Sequence, residues 1–172
     1  MLLEVDARER RAAPVARLAE PVVDAVDRRV RSAAHPELDA AGELVAVVAR
    51  LLPQLTEART PPTLEQLEET VSNQTMLVAR DDDGTILGTL TFVLYRVSSG
   101  LKGRIEDVIV DESARGRGVG ELLVQEGMRR ANEAGVLMLE LTSMPYREAA
   151  NRLYKRLGFV RRPTNVYVWW PR

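Results

Sequence analysis

The stretch that most constrains this chain is 104–123, an apolar strand that runs into a glycine-rich loop and then into a helix. Ile105, Val108, Ile109 and Val110 are mostly β-branched and read as a buried strand over 105–110. Asp111, Glu112 and Ser113 make a polar turn, after which Gly116, Gly118 and Gly120 alternate with Arg117 and Val119, behind Arg115. Glycines at this spacing let backbone N–H groups come close to an anion. The helix that begins at Val119 adds unpaired N-terminal donors and the positive end of its dipole. Arg115 and Arg117 bring mobile charge suited to phosphate oxygens. Taken alone, the stretch reads as a pyrophosphate cradle or as a tight strand-to-helix turn with glycines for close packing.

Spacing excludes two commoner phosphate loops. No Lys and hydroxyl pair follows Gly120, as the Gly-x-x-x-x-Gly-Lys-Ser/Thr loop requires. In the dinucleotide pattern Gly-x-Gly-x-x-Gly the sixth position must be Gly, but counting from Gly116 it is Glu121 and from Gly118 it is Leu123. What remains is Arg-x-x-Gly-x-Gly, met by Arg115, Gly118 and Gly120.

The flanking sequence supplies an α+β frame. Residues 1–25, interrupted by Pro14 and Pro21, read as a helical arm or a frayed tail. Alternation over 28–32 suggests a first strand, and His35 with Pro36 marks a turn. Leu44, Val45, Val47, Val48, Leu51 and Leu52 recur at helical period, so a helix is expected over 39–52, capped by Asp39 and closed by Pro53. Thr63 and Gln66 have capping-box spacing and start a second helix, to about Val71. Strands are expected over 76–80 and 85–97. Asp81, Asp82, Asp83 and Gly84 join them as a hairpin turn rather than a calcium loop, because no distal Glu completes one. Ser98, Ser99 and Gly100 turn the chain back, so the three strands form an antiparallel meander. A helix over 119–134 places Leu122, Leu123, Met128 and Ala131 on one side and ends at Gly135. The strand after it, 136–141, follows a strand–helix crossover and should lie parallel to 105–110. A helix over 147–157 with Ala150, Leu153, Tyr154 and Leu157 on one face stops at Gly158, and 166–170 reads as a final strand or an apolar interface. No internal repeat appears, which gives an extension over 1–25 and one domain over 26–172.

Charge and composition narrow the chemistry. Lys and Arg number 24 against 25 Asp and Glu, so there is no electrostatic case for nucleic acid or an anionic membrane as partner. Cys is absent, which removes disulfides, a cysteine nucleophile and thiolate metal sites and suits a cytoplasmic protein. His35, the one histidine, argues against a Ser–His triad or a multi-histidine metal centre and reads as a loop residue.

The loop is not alone. Asn151, Arg152, Leu153, Tyr154, Lys155, Arg156, Leu157, Gly158 and Phe159 form a helix end of the pattern Leu-Tyr-x-x-Leu-Gly-Phe. The two motifs in this order, with a strand between them, resemble the GNAT superfamily of N-acetyltransferases over about residues 28–170. The resemblance implies a GNAT fold, in which a mixed sheet is flanked by helices, and acetyl-CoA as co-substrate without a metal. It implies that Arg115, Gly116, Arg117, Gly118, Val119, Gly120 and Glu121 hold the pyrophosphate, while the backbone of Val108, Ile109 and Val110 pairs with the pantetheine arm like an added strand. Tyr154 would be the general acid to the departing thiolate, with a core aromatic as the alternative. Asn151 and Arg147 would by the same resemblance be further CoA contacts, although many members have Asn where this chain has Arg147.

An ammonium has no lone pair, so the acceptor amine needs a base. Glu106 and Asp107 are neighbours on a strand and should point to opposite faces. That pair resembles the glucosamine-phosphate branch of the superfamily, where this strand borders the substrate. Glu106 is the first candidate base and Glu140 the second, against a plain salt-bridge role for Glu106. The expected activity is direct acetyl transfer to a primary amine of a small molecule or a protein, within a monomer or homodimer. A catalytically silent acyl-CoA-binding module is the rival.

Overall fold

The computed structural model describes residues 17–18, 37–56, 60–81 and 85–171, and the expected strand at 28–32 and turn at His35 lie outside them. The chain divides into two compact units, Met1–Leu141 and Thr142–Arg172. The first carries one five-stranded sheet in the order β1 (Arg17–Leu18), β2 (Thr75–Arg80), β3 (Ile86–Val97), β4 (Gly100–Val110) and β5 (Leu139–Leu141). Each of the first three strands pairs antiparallel with the next, and β4 and β5 pair parallel through Gly103–Leu139, Arg104–Glu140 and Ile105–Leu141. The mixed sheet expected of the fold class is therefore present.

Helices α1 (Glu37–Leu51) and α2 (Leu64–Asn73) bury Leu44, Val47, Val48, Leu51, Leu67 and Val71 in one cluster with Met76, Val78, Ile86 and Ile109 of the sheet. Helix α1 starts at Glu37, which places Asp39 inside the helix and not at its cap. It ends at Leu51, and Pro53 continues the chain into a 3-10 turn, Leu52–Gln54, since a proline is tolerated in a first turn. The capping box of α2 forms as its spacing demands: Gln66 N donates to Thr63 Oγ1 at 3.3 Å and Thr63 N to Gln66 Oε1 at 3.0 Å. The β2–β3 hairpin closes where the acidic run begins, with Asp81 N donating to Thr85 O and Thr85 N to Asp81 Oδ1.

Helix α3 (Val119–Glu133) packs on the opposite face of the sheet. Its buried stripe is Val119, Leu123, Val124, Gly127 and Ala131, while the expected Leu122 and Met128 are only half-buried. Close packing explains two glycines here. A Cβ on Gly127 would stand 3.3 Å from Ile105 Cδ1, and one on Gly88 would meet Ile109 O at 2.7 Å. The helix closes with Gly135 at φ 65°, Gly135 N donating to Asn132 O and Val136 N to Ala131 O, which is a Schellman motif. Because Val136 closes the helix, β5 begins at Leu139 and not at 136.

In the second unit, α4 (Glu148–Arg156) is the regular element. The expected final strand is not formed: residues 160–171 are exposed and without regular structure, with Val168 62% and Tyr167 88% exposed. High strand propensity at Val166, Tyr167, Val168, Trp169 and Trp170 is not sufficient, since a strand needs a ladder partner and none pairs with it among the described residues.

Candidate active site

The glycine loop sits where β4 leaves the sheet and α3 begins. A polar turn organises the exit. Asp111 N donates to Leu87 O, its Oδ1 accepts from Ser113 N at 2.9 Å and from Ser113 Oγ at 2.6 Å, and its carbonyl accepts from Ala114 N. Gly116 (φ 77°) and Gly118 (φ 85°) then take the left-handed conformation that side chains with a Cβ resist. Nothing lies within 4 Å of a Cβ built on either, so these glycines answer to backbone shape and to open space in front of the loop, not to packing. Gly118 is the N-cap of α3 and offers no side chain to the helix. Leu122 N bonds back to Gly118 O at 3.0 Å, and the first turn of a helix is where its N–H donors face an anion. Arg115 is exposed and pairs with Glu112 at 3.2 Å. Arg117 is half-buried beside it.

Within β4 the ladder is irregular. Thr89 pairs with Ile109 and Thr91 with Glu106, so Leu90 alone opposes Asp107 and Val108, and Asp107 has φ 46°. This is a β-bulge, and it reverses side-chain alternation. Ile105 contacts the α3 side while Ile109, four residues on, packs with α1. The simple opposite-face expectation for Glu106 and Asp107 is thus corrected: Asp107 occupies the bulge and is exposed, and Glu106 is half-buried. The β4–β5 ladder stops at Ile105–Leu141, short of the bulge, so Val108, Ile109 and Val110 lie beyond it.

The two candidate bases share one cation. Arg104 Nη1 donates to Glu140 Oε1 at 3.1 Å and Arg104 Nε donates to Glu106 Oε1. Tyr95 Oη donates to the same Glu140 oxygen at 3.1 Å. Three adjacent strands therefore meet in a half-buried polar cluster. Its bond to Glu106 first, and then that to Glu140, hold Arg104 more firmly protonated, while desolvation and then Glu140 push the Tyr95 phenol up. Arg104 and Tyr95 were not singled out from sequence. The i, i+2 spacing of Arg104 and Glu106 on one strand was the available signal, but pairing with Glu140 depends on a parallel register that the sequence does not print.

The second motif lies in the second unit, and its geometry is that of a helix stop. Gly158 (φ 94°) follows α4, with Gly158 N donating to Lys155 O at 3.1 Å and Phe159 N to Tyr154 O at 3.0 Å. The Phe159 ring meets the Tyr154 ring edge-on, centroids 6.0 Å apart, the apolar contact that accompanies a Schellman motif. The motif thereby fixes Tyr154, whose hydroxyl is pushed up by burial and only partly offset by Arg147. A phenol held protonated is suited to donate a proton. Asn151 Nδ2 donates to Met144 O at 2.9 Å, bracing the entry to α4, and Arg147 stands at the helix N-cap with its guanidinium 6.0 Å from the Tyr146 ring. Ser143 Oγ, also unremarked in the sequence, is buried without a hydrogen-bond partner.

An open, left-handed glycine turn with helix-terminal donors and two arginines fits the diphosphate of a CoA-type donor. Among the described residues no group of His, Asp or Glu is arranged to hold a metal ion.

Comparison with known proteins agrees with this arrangement. Residues 44–159 match the family described as Acetyltransferase (GNAT) family. Glucosamine 6-phosphate N-acetyltransferase 1 of Oryza sativa subsp. japonica is 31% identical over 121 residues, covering 68% of this chain and 72% of the relative. The L-methionine sulfoximine/L-methionine sulfone acetyltransferase of Pseudomonas aeruginosa is 33% identical over 85 residues, 49% of each chain. The crystal structure of glucosamine-6-phosphate N-acetyltransferase from Arabidopsis thaliana superposes with a TM-score of 0.64 at 22% identity, covering 76% of this chain and 94% of that one, a likeness of fold.

Proposed function

Since the chain belongs to the acetyltransferase (GNAT) family, matched over residues 44–159, we propose that it takes an acetyl group from acetyl-CoA and transfers it directly to the primary amine of a small-molecule acceptor. The observation that carries the donor half is the glycine turn, whose Gly116 and Gly118 adopt positive φ with open space before them and lead into an α3 terminus that no side chain caps. The acceptor half is supported by relatives whose names specify glucosamine 6-phosphate and methionine derivatives.

Bound acetyl-CoA supplies an activated thioester. The loop from Gly116 to Glu121, with the Arg115 and Arg117 side chains, holds its diphosphate, and the backbone of Val108, Ile109 and Val110 beyond the β4–β5 ladder pairs with the pantetheine arm. Glu106 takes the proton from the acceptor ammonium, and Arg104 orients that carboxylate while also holding Glu140. Glu140, bound by both Arg104 and Tyr95, serves as the orienting partner. Tyr154 gives its phenolic proton to the departing sulfur. The sequence contains no Cys, which removes an acetyl-cysteine route and leaves direct transfer.

The test is mass spectrometry of products after incubation with acetyl-CoA and a mixture of small amines, beside a peptide mixture rich in N-termini and lysines. An acetylated small amine is the expected product. Acetylation of peptides alone would move the acceptor to the protein class.

A further inference from the structure

The loop is not held by its own strand and helix alone. Helix α1, on the far side of the sheet from α3, reaches the turn that launches it. Arg50, in the last turn of α1, donates through Nη1 to Asp111 Oδ2 and through Nη2 to Ile86 O at 2.9 Å. Four residues on, Gln54 Oε1 accepts from Glu112 N at 3.0 Å. Asp111 is only 13% exposed at its side chain and takes its other hydrogen bonds from Ser113. Its two carboxylate oxygens are therefore divided: one shapes the turn before the loop and the other is held by α1.

We propose that Arg50, with Gln54, is a positioning residue for the diphosphate loop, fixing Asp111 and hence the angle at which the glycine turn and the first turn of α3 face the anion. The inference rests on the reading of that loop as the CoA diphosphate site. A guanidinium suits the task because its rigid fork spans a carboxylate and a carbonyl at once, which a lysine ammonium does not match. Arg50 makes no contact with the loop glycines among its hydrogen bonds, so it acts through Asp111.

An internal control exists. Arg80, on β2, also ties α1 to the sheet, through Glu43 at 2.8 and 2.9 Å. Removing Arg80 reports what the loss of any α1–sheet ion pair does.

The experiment is calorimetric titration of CoA into wild type, Arg50→Met, Arg50→Lys, Gln54→Ala and Arg80→Met, with kcat/KM for acetyl-CoA and for acetyl-pantetheine, which lacks the diphosphate. Arg50→Met is expected to weaken CoA roughly five-fold, the scale of about one ordinary hydrogen bond. Arg50→Lys should fall between, Arg80→Met should bind CoA as wild type does, and acetyl-pantetheine should be used equally by all. Wild-type CoA affinity in Arg50→Met, or an equal loss in Arg80→Met or with acetyl-pantetheine, would overturn the positioning role. Should Arg50→Met not fold, Gln54→Ala decides by the same pattern. A wild type that uses acetyl-pantetheine as well as acetyl-CoA would instead remove the diphosphate reading itself.

Discussion

At the scale of single residues, the proposed function gives two positions distinct halves of the chemistry. Gly118 sits at φ 85° with open space before it, and a β-branched side chain there would strain the backbone by about 1–2 kcal/mol and stand where an anion must approach. Gly118→Val should weaken CoA by roughly ten-fold or more in calorimetry, with the fold retained by circular dichroism. In the proposed mechanism Tyr154 acts on the leaving group and not on binding. Tyr154→Phe should lower kcat by about a hundred-fold or more while CoA affinity stays within about two-fold of wild type; an unchanged kcat would take Tyr154 out of the mechanism. Both residues were legible in the sequence because each belongs to a motif with a local physical cause, a left-handed turn and a Schellman stop. Arg104, Tyr95 and Arg50 were not, because each acts across elements.

At the scale of elements, hydrophobic period and glycine punctuation were enough to find the helices, the meander and the parallel β4–β5 pair. Where expectation and structure part, tertiary context decides. The β4 bulge at Asp107 has no sequence signal beyond an Asp tolerant of positive φ, yet it sends Ile105 and Ile109 to opposite faces and sets where the ladder to β5 ends. The 166–170 run has the composition of a strand and no ladder to join. Surface charge on α3 gives a pH signature of this level. The hydrogen bond from Arg129, opposed by burial and aided by Arg130, holds the Glu126 carboxyl below its ordinary 4.5. The sign is therefore that of a lowered acid: the stabilisation is present above the ordinary value and is lost as pH falls through the lowered one. Glu126→Gln should cost up to about 1 kcal/mol at neutral pH in urea denaturation, with the gap closing near pH 3. A gap that persists in acid would mean that the carboxylate charge is not its source.

At the scale of the whole molecule, the residues proposed for the donor cradle and both candidate carboxylates belong to the first unit, and Tyr154 belongs to the second, on a helix fixed by its own stop. The family was legible from two short motifs in order, since each encodes a backbone shape. The acceptor was not, because the polar cluster that holds both candidate bases is assembled from β3, β4 and β5 by register. No described helix is long and apolar enough to cross a membrane. The most direct measurement is the rate of CoA thiol release from acetyl-CoA, followed with and without each of a panel of small primary amines that includes glucosamine 6-phosphate. Release that rises with at least one amine, in step with its acetylated product, is the expected result. CoA binding at normal affinity with no amine-dependent release would contradict amine acetylation and leave a binding module.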